Sequence, residues 1–183
     1  MGIGGSFYQY DESAMLEGYV NGTELMKPEK WPKLFVRISG CICKMKADIC
    51  VPKITRNGDT YYLTYLIVPE GTIVHLGPAF ESEKAVLKSR LLHDYACRSS
   101  HARVELQSTL YEGSPMSKET SSLFVKDFKY QTGDTVKSRA KFDPYDDSNY
   151  GGIHWYATIE QAIGWKKLFH YMRTNGMYMG LKE

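Results

Sequence analysis

The sequence predicts an α+β fold, a mainly antiparallel sheet with a C-terminal helix and few other helices. Three observations carry that prediction. The 183 residues are dense in short β-branched and aromatic runs, with 14 tyrosines among them. Asn57-Gly58 joins two such runs, a strong short-range hairpin signal. Thr158-Ile159-Glu160-Gln161 matches a capping box, in which the Thr hydroxyl and the Gln side chain satisfy orphan backbone donors at a helix start.

Taken in order, residues 1–33 are rich in Gly, Pro and polar side chains and read as an arm, with Trp31 between Pro28 and Pro32 as its anchor. Residues 34–183 then form a single domain. Leu34 to Ile38 is its first strand, and Cys41 to Met45 resumes it as an edge after Ser39-Gly40. Ala47–Thr55 and Asp59–Val68 form the hairpin. Both faces of Tyr61–Val68 are largely apolar, so that strand is expected at the centre of the sheet, covered on both sides. Thr72–Leu76 is a further short strand, Glu81–Leu92 a helix, and His101–Leu106 an alternating strand. Gly113–Ser122 is a Ser/Thr/Pro/Gly/Lys loop. Phe124–Tyr130 and Asp134–Lys137 are strands about a turn at Gln131-Thr132-Gly133.

The stretch from Phe142 to Asn175 is the most legible. Asp143-Pro144 and Asp146–Asn149 are turn chemistry, because Asp and Asn side chains bond their own backbone. Gly151-Gly152 permits positive φ or a close backbone approach. Ile153 to Ala157 is a strand, with Ile153, Trp155 and Ala157 on one face and His154 and Tyr156 on the other. In the following helix Ile159, Ala162, Ile163, Lys166 and Phe169 share a stripe, so the Lys166 stem lies along apolar surface. Asn175-Gly176 ends it.

Composition excludes several classes. A hydrophobic fraction of 43%, a charged fraction of 24% and a net charge of +2 describe a globular chain with no electrostatic call on nucleic acid. Four cysteines form no disulfide framework, no signal-peptide core stands at the start, and no apolar run is long enough for a membrane span. An intracellular, reduced setting is expected. Gly2 with Ser6 fits the myristoylation pattern, so membrane contact is expected only if Gly2 is acylated.

Few motifs carry chemistry. Cys41 and Cys43 are one residue apart, and on a strand they point to opposite faces, which is not a zinc knuckle; no metal is expected. Asp143, Asp146 and Asp147 lack the order of a calcium loop. Neither a phosphate-binding P-loop nor a dinucleotide glycine fingerprint is present, and no cofactor is expected. His154, directly after two glycines, is the residue placed to meet a ligand. Gly151, Gly152, His154 and Tyr156 are therefore the candidate ligand-binding set, with His154, Asp143 and Glu160 as catalytic candidates. The plainer reading makes His154 a structural histidine holding the Asp-rich turn.

Two runs carry a resemblance. Cys97-Arg98-Ser99-Ser100-His101-Ala102-Arg103-Val104, then Tyr130-Gln131-Thr132-Gly133-Asp134, Phe142-Asp143 and Gly152-Ile153-His154-Trp155-Tyr156 with Gln161-Ala162, stand in the order of an uncharacterised domain family known chiefly from giant DNA virus proteins. Ser99 replaces an Ala of that pattern, and Gly151 stands where a Cys is common. The resemblance implies a viral type of protein, in host cytoplasm or virion, of a family with no settled activity. Tyr150–Ala157 is also similar to the strand of ADP-ribosyltransferases that lines the nicotinamide pocket, with His154 at the ring-stacking position. Two functions are therefore expected in competition. One is a non-enzymatic protein-binding or structural domain, working with a protein partner or as a homo-oligomer through its Tyr-rich sheet and arm. The other is a small enzyme or nucleotide binder built around His154.

Overall fold

The structure, a computed structural model, describes residues 24–25, 31–76, 96–110, 117–123, 125, 127–145, 151–156 and 159–175. It is mostly antiparallel sheet with very few helices, more sheet-dominated than the expected class. The expected helix at Glu81–Leu92, most of the arm, Thr158 of the capping box, and Asp146 and Asp147 lie outside the described residues.

Twelve strands and two helical segments are described. They are β1 (Glu24–Leu25), α1 (Trp31–Leu34), β2 (Phe35–Ser39), β3 (Ile42–Met45), β4 (Ile49–Asn57), β5 (Thr60–Val68) and β6 (Ile73–His75). After them come β7 (Cys97–Ser99), β8 (His101–Thr109), β9 (Glu119–Ser122), β10 (Lys129–Gln131), β11 (Thr135–Lys137), β12 (Ile153–Trp155) and α2 (Ile159–Thr174). They build two sheets, one ordered β10-β9-β4-β5-β8-β11 with β1 also on β4, the other β12-β7-β6-β3-β2.

The hairpin forms with a shifted turn. Asn57 pairs with Thr60, so Gly58-Asp59 is the loop, and Gly58 supplies the positive φ of 59° that an L side chain resists. β5 is central between β4 and β8, and Leu63, Leu66 and Val68 are fully buried, each worth ~1.5–3 kcal/mol of burial.

The larger sheet rolls up. Its two ends, β10 and β11, are consecutive strands joined by Thr132-Gly133-Asp134, and that turn bonds β8 in both directions, Gly133 N to Val104 O at 2.8 Å and Val104 N to Asp134 O at 2.9 Å. Gln107 of β8 then reaches across the interior, its Nε2 donating to the Tyr130 carbonyl at 2.9 Å and its Oε1 accepting from Thr120 and Thr64. Thr55 completes the chain of buried hydroxyls, 2.7 Å from both Thr64 and Thr120. In a low-dielectric interior such a network must be satisfied throughout, and these four side chains satisfy one another across four strands.

Three expectations are corrected. Cys41–Met45 is not an edge: β3 lies between β2 and β6, and β2 is the edge. The Ser/Thr-rich end of the expected loop is strand β9, because pairing with both β4 and β10 overrides weak local propensity. Residues 97–109 are two strands in different sheets, β7 and β8, separated only by Ser100. At that corner the Ser99 hydroxyl donates to the His101 carbonyl at 2.9 Å and accepts from Trp155 Nε1 at 3.2 Å.

The two sheets are stitched at β4. β1 and β9 occupy its outer edge at residues 49–50 and 55–56. Pro52 stands between them, has no N–H to leave unpaired, and its carbonyl accepts from Tyr156 N at 3.1 Å. The chain then enters α2, which packs back on β4 with Ile159 and Ala162 buried. Lys166 is buried with them, its ammonium 4.8 Å from the Tyr61 ring centre, which satisfies the expected path of its stem.

Candidate functional site

The glycine-strand stretch forms as a turn into β12. Gly151 and Gly152 take φ of 75° and 89°. Their missing side chains make room for the chain's own residues 138–142: a Cβ on Gly151 would stand 2.5 Å from the Lys141 carbonyl oxygen, and one on Gly152 would stand 2.7 Å from the Phe142 ring. Gly152 N donates to the Ser138 hydroxyl at 2.8 Å. The close approach read from sequence is thus real, and intramolecular.

His154 is 5% exposed, opposite Arg98 in the register of β12 on β7. Arg98 is fully buried, donates to the Gly151 carbonyl at 3.3 Å and lies 5.7 Å from the Phe142 ring centre. Lys53, also buried, donates from Nζ to the His154 carbonyl at 2.8 Å and sits 5.5 Å from the Tyr130 ring centre. Tyr156 is buried at the β4 junction. Asp143 is exposed and its carboxylate accepts from Tyr145 N at 2.9 Å, the turn its sequence implies. Glu160 lies in the first turn of α2. His154, Gly151, Gly152 and Tyr156 are brought together as a packed seam between the sheets, and Asp143 sits at its rim.

Three of the four thiols are sequestered. Cys43, Cys50 and Cys97 are buried; burial raises the Cys43 thiol and pushes Cys50 up to about 12, with the Glu105 charge adding to the latter. Among the described residues no group of three His, Cys, Asp or Glu is placed to hold a metal ion, and no helix is long and apolar enough to cross a membrane.

Two surface features remain. A groove of about 360 Å³ between β10 and β11 is lined by Asp127, Phe128, Lys129, Lys137 and Arg139 among others. One of its ion pairs is closed, since Arg139 clamps Asp127 through two bonds of 3.1 Å and holds that carboxyl below its usual range. The other feature is the edge strand β2. Val36 and Ile38 are 51% and 47% exposed there, and the chain bends at a bulge between Arg37 and Ser39, where Arg37 Nη1 donates to the Gly40 carbonyl. Sequence reasoning found the strand at Leu34–Ile38 but put the edge on Cys41–Met45; two β-branched side chains two apart, between Lys33 and Lys44, were the available signal.

The described residues define a rolled antiparallel-sheet domain with a second small sheet in which β2 is an end strand. A family described as of unknown function, DUF5758, matches residues 53–162, from mid-β4 into α2, and the chain belongs to it. No curated protein and no solved structure matches the chain. β2 and β3 lie outside the matched span.

Proposed function

We propose that this chain is a protein-binding or structural module without catalytic chemistry of its own, of the viral type that its Cys97–Val104 and Phe142–Trp165 runs resemble, acting in host cytoplasm or virion. The observation that carries the proposal is β2, an edge strand among the described residues whose two large apolar side chains are about half exposed. A strand edge offers a row of backbone donors and acceptors to a partner strand, and the Val36 and Ile38 side chains stand exposed beside it. The 5% exposure of His154 weighs against the rival ADP-ribosyltransferase-like reading, which needs that ring open to a nicotinamide.

Peptides selected from a random library on the immobilised chain test both readings. The binding reading expects their affinity to fall about 10-fold or more in a Val36→Asp/Ile38→Asp variant, the scale of losing a central apolar contact. Equal affinity for both forms refutes it. A thermal shift with a dinucleotide such as NAD, lost in His154→Ala, transfers the function to the β12 seam.

A further inference from the structure

We propose that the β2 edge receives the acidic segment of a second copy of this chain, residues 7–20, so that the module assembles with itself. The inference rests on β2 being the contact edge, as argued above, and names what covers it.

Charge makes the match. Residues 33–46, which contain β2 and β3, carry Lys33, Arg37, Lys44 and Lys46 and no acidic residue. All four are exposed. Lys44 is the register partner of Val36, so an apolar stripe and a cation share one face of the edge. Residues 1–26 show the opposite bias, with Asp11, Glu12, Glu17 and Glu24 and no Lys or Arg. Within them Phe7-Tyr8-Gln9-Tyr10 has the aromatic content that suits a strand, followed at once by two carboxylates. A strand opposite β2 needs about 17 Å of extended chain, which five residues supply. The segment from Phe7 is long enough to lay aromatic side chains on Val36 and Ile38 while Asp11 and Glu12 approach the lysines.

A second copy pairing β2 directly on β2 fits less well. An antiparallel pair centred on Arg37 sets that cation against its own counterpart, and like charges directly opposite destabilise a strand pair. The acidic segment removes that conflict. The single chain leaves Val36 and Ile38 about half exposed, so cover from another copy has apolar surface left to bury.

A reciprocal charge swap tests this on the full chain. The native chain is expected to self-associate by light scattering, more weakly as salt rises. Lys33→Glu/Lys44→Glu alone and Asp11→Lys/Glu12→Lys alone should each weaken association by about 10-fold or more, because like charges then meet at the edge. Lys33 and Lys44 are exposed, and circular dichroism checks that both variants fold. Mixed together, the two variants should associate with each other, since each supplies what the other lacks. A native chain that stays monomeric overturns the inference, as does association that neither reversal weakens or a mixture that fails to associate. If the native chain is monomeric yet selected peptides still need Val36 and Ile38, the self-assembly inference falls and the binding-edge function stands.

Discussion

Lys53 Nζ donates to the main-chain carbonyl of His154 at 2.8 Å, across 101 positions of sequence, and so ties β4 of the rolled sheet to β12 of the small one. The bond is buried at both ends. It fixes the strand on which the candidate ligand residues stand.

Lys53→Ala should therefore destabilise the chain by about 2–3 kcal/mol, the scale for removing a charged partner from a buried acceptor. Lys53→Met keeps the apolar stem and should cost less. Urea denaturation of the two variants measures the difference.

The glycines give a second comparison. Gly152→Ala meets both a φ of 89° and the Phe142 ring, and should cost about 3 kcal/mol. Gly58→Ala meets only a φ of 59°, with nothing within 4 Å of the new methyl, and should cost about 1 kcal/mol. If the two variants melt together, the packing of residues 138–142 under β12 is not what requires glycine there.

The Gln107 side chain bonds both β5 and β10. Gln107→Leu leaves the Tyr130 carbonyl and the Thr64 and Thr120 hydroxyls short of a partner, and should cost about 2–3 kcal/mol. Adding Thr55→Val, Thr64→Val and Thr120→Val should recover part of that loss, because the orphaned hydroxyls go with it. Thermal unfolding of the single and quadruple variants decides the point.

Burial holds the Lys166 ammonium below its ordinary pKa. Below the folded pKa both states are protonated and the cost of the buried charge is present in full. As pH climbs through the folded value toward the unfolded one of about 10.4, the folded chain releases its proton first and the cost is relieved. Lys166→Met removes the titration. The stability of the native chain should therefore rise relative to Lys166→Met over that window, and a constant difference from neutral to alkaline pH contradicts the assignment.

The sequence by itself determined the local elements of this protein. The hairpin at Gly58, the central position of Tyr61–Val68, the glycine turn into Ile153–Trp155 and the helix after it follow from alternation, turn chemistry and helical periodicity, which act within a few residues. It also determined the likeness to a family of unknown function, through runs that hold the paired strands β7 and β12. Only the tertiary structure decided that residues 97–109 split between two sheets, that β9 is a strand, that Gln107 closes a rolled sheet, and that the space beside Gly151 and Gly152 is filled by Lys141 and Phe142. Those outcomes depend on partners 10 to 100 positions away. A strand's side chains do not record which edge it will join, and a glycine's missing Cβ does not record whether a ligand or its own chain fills the gap.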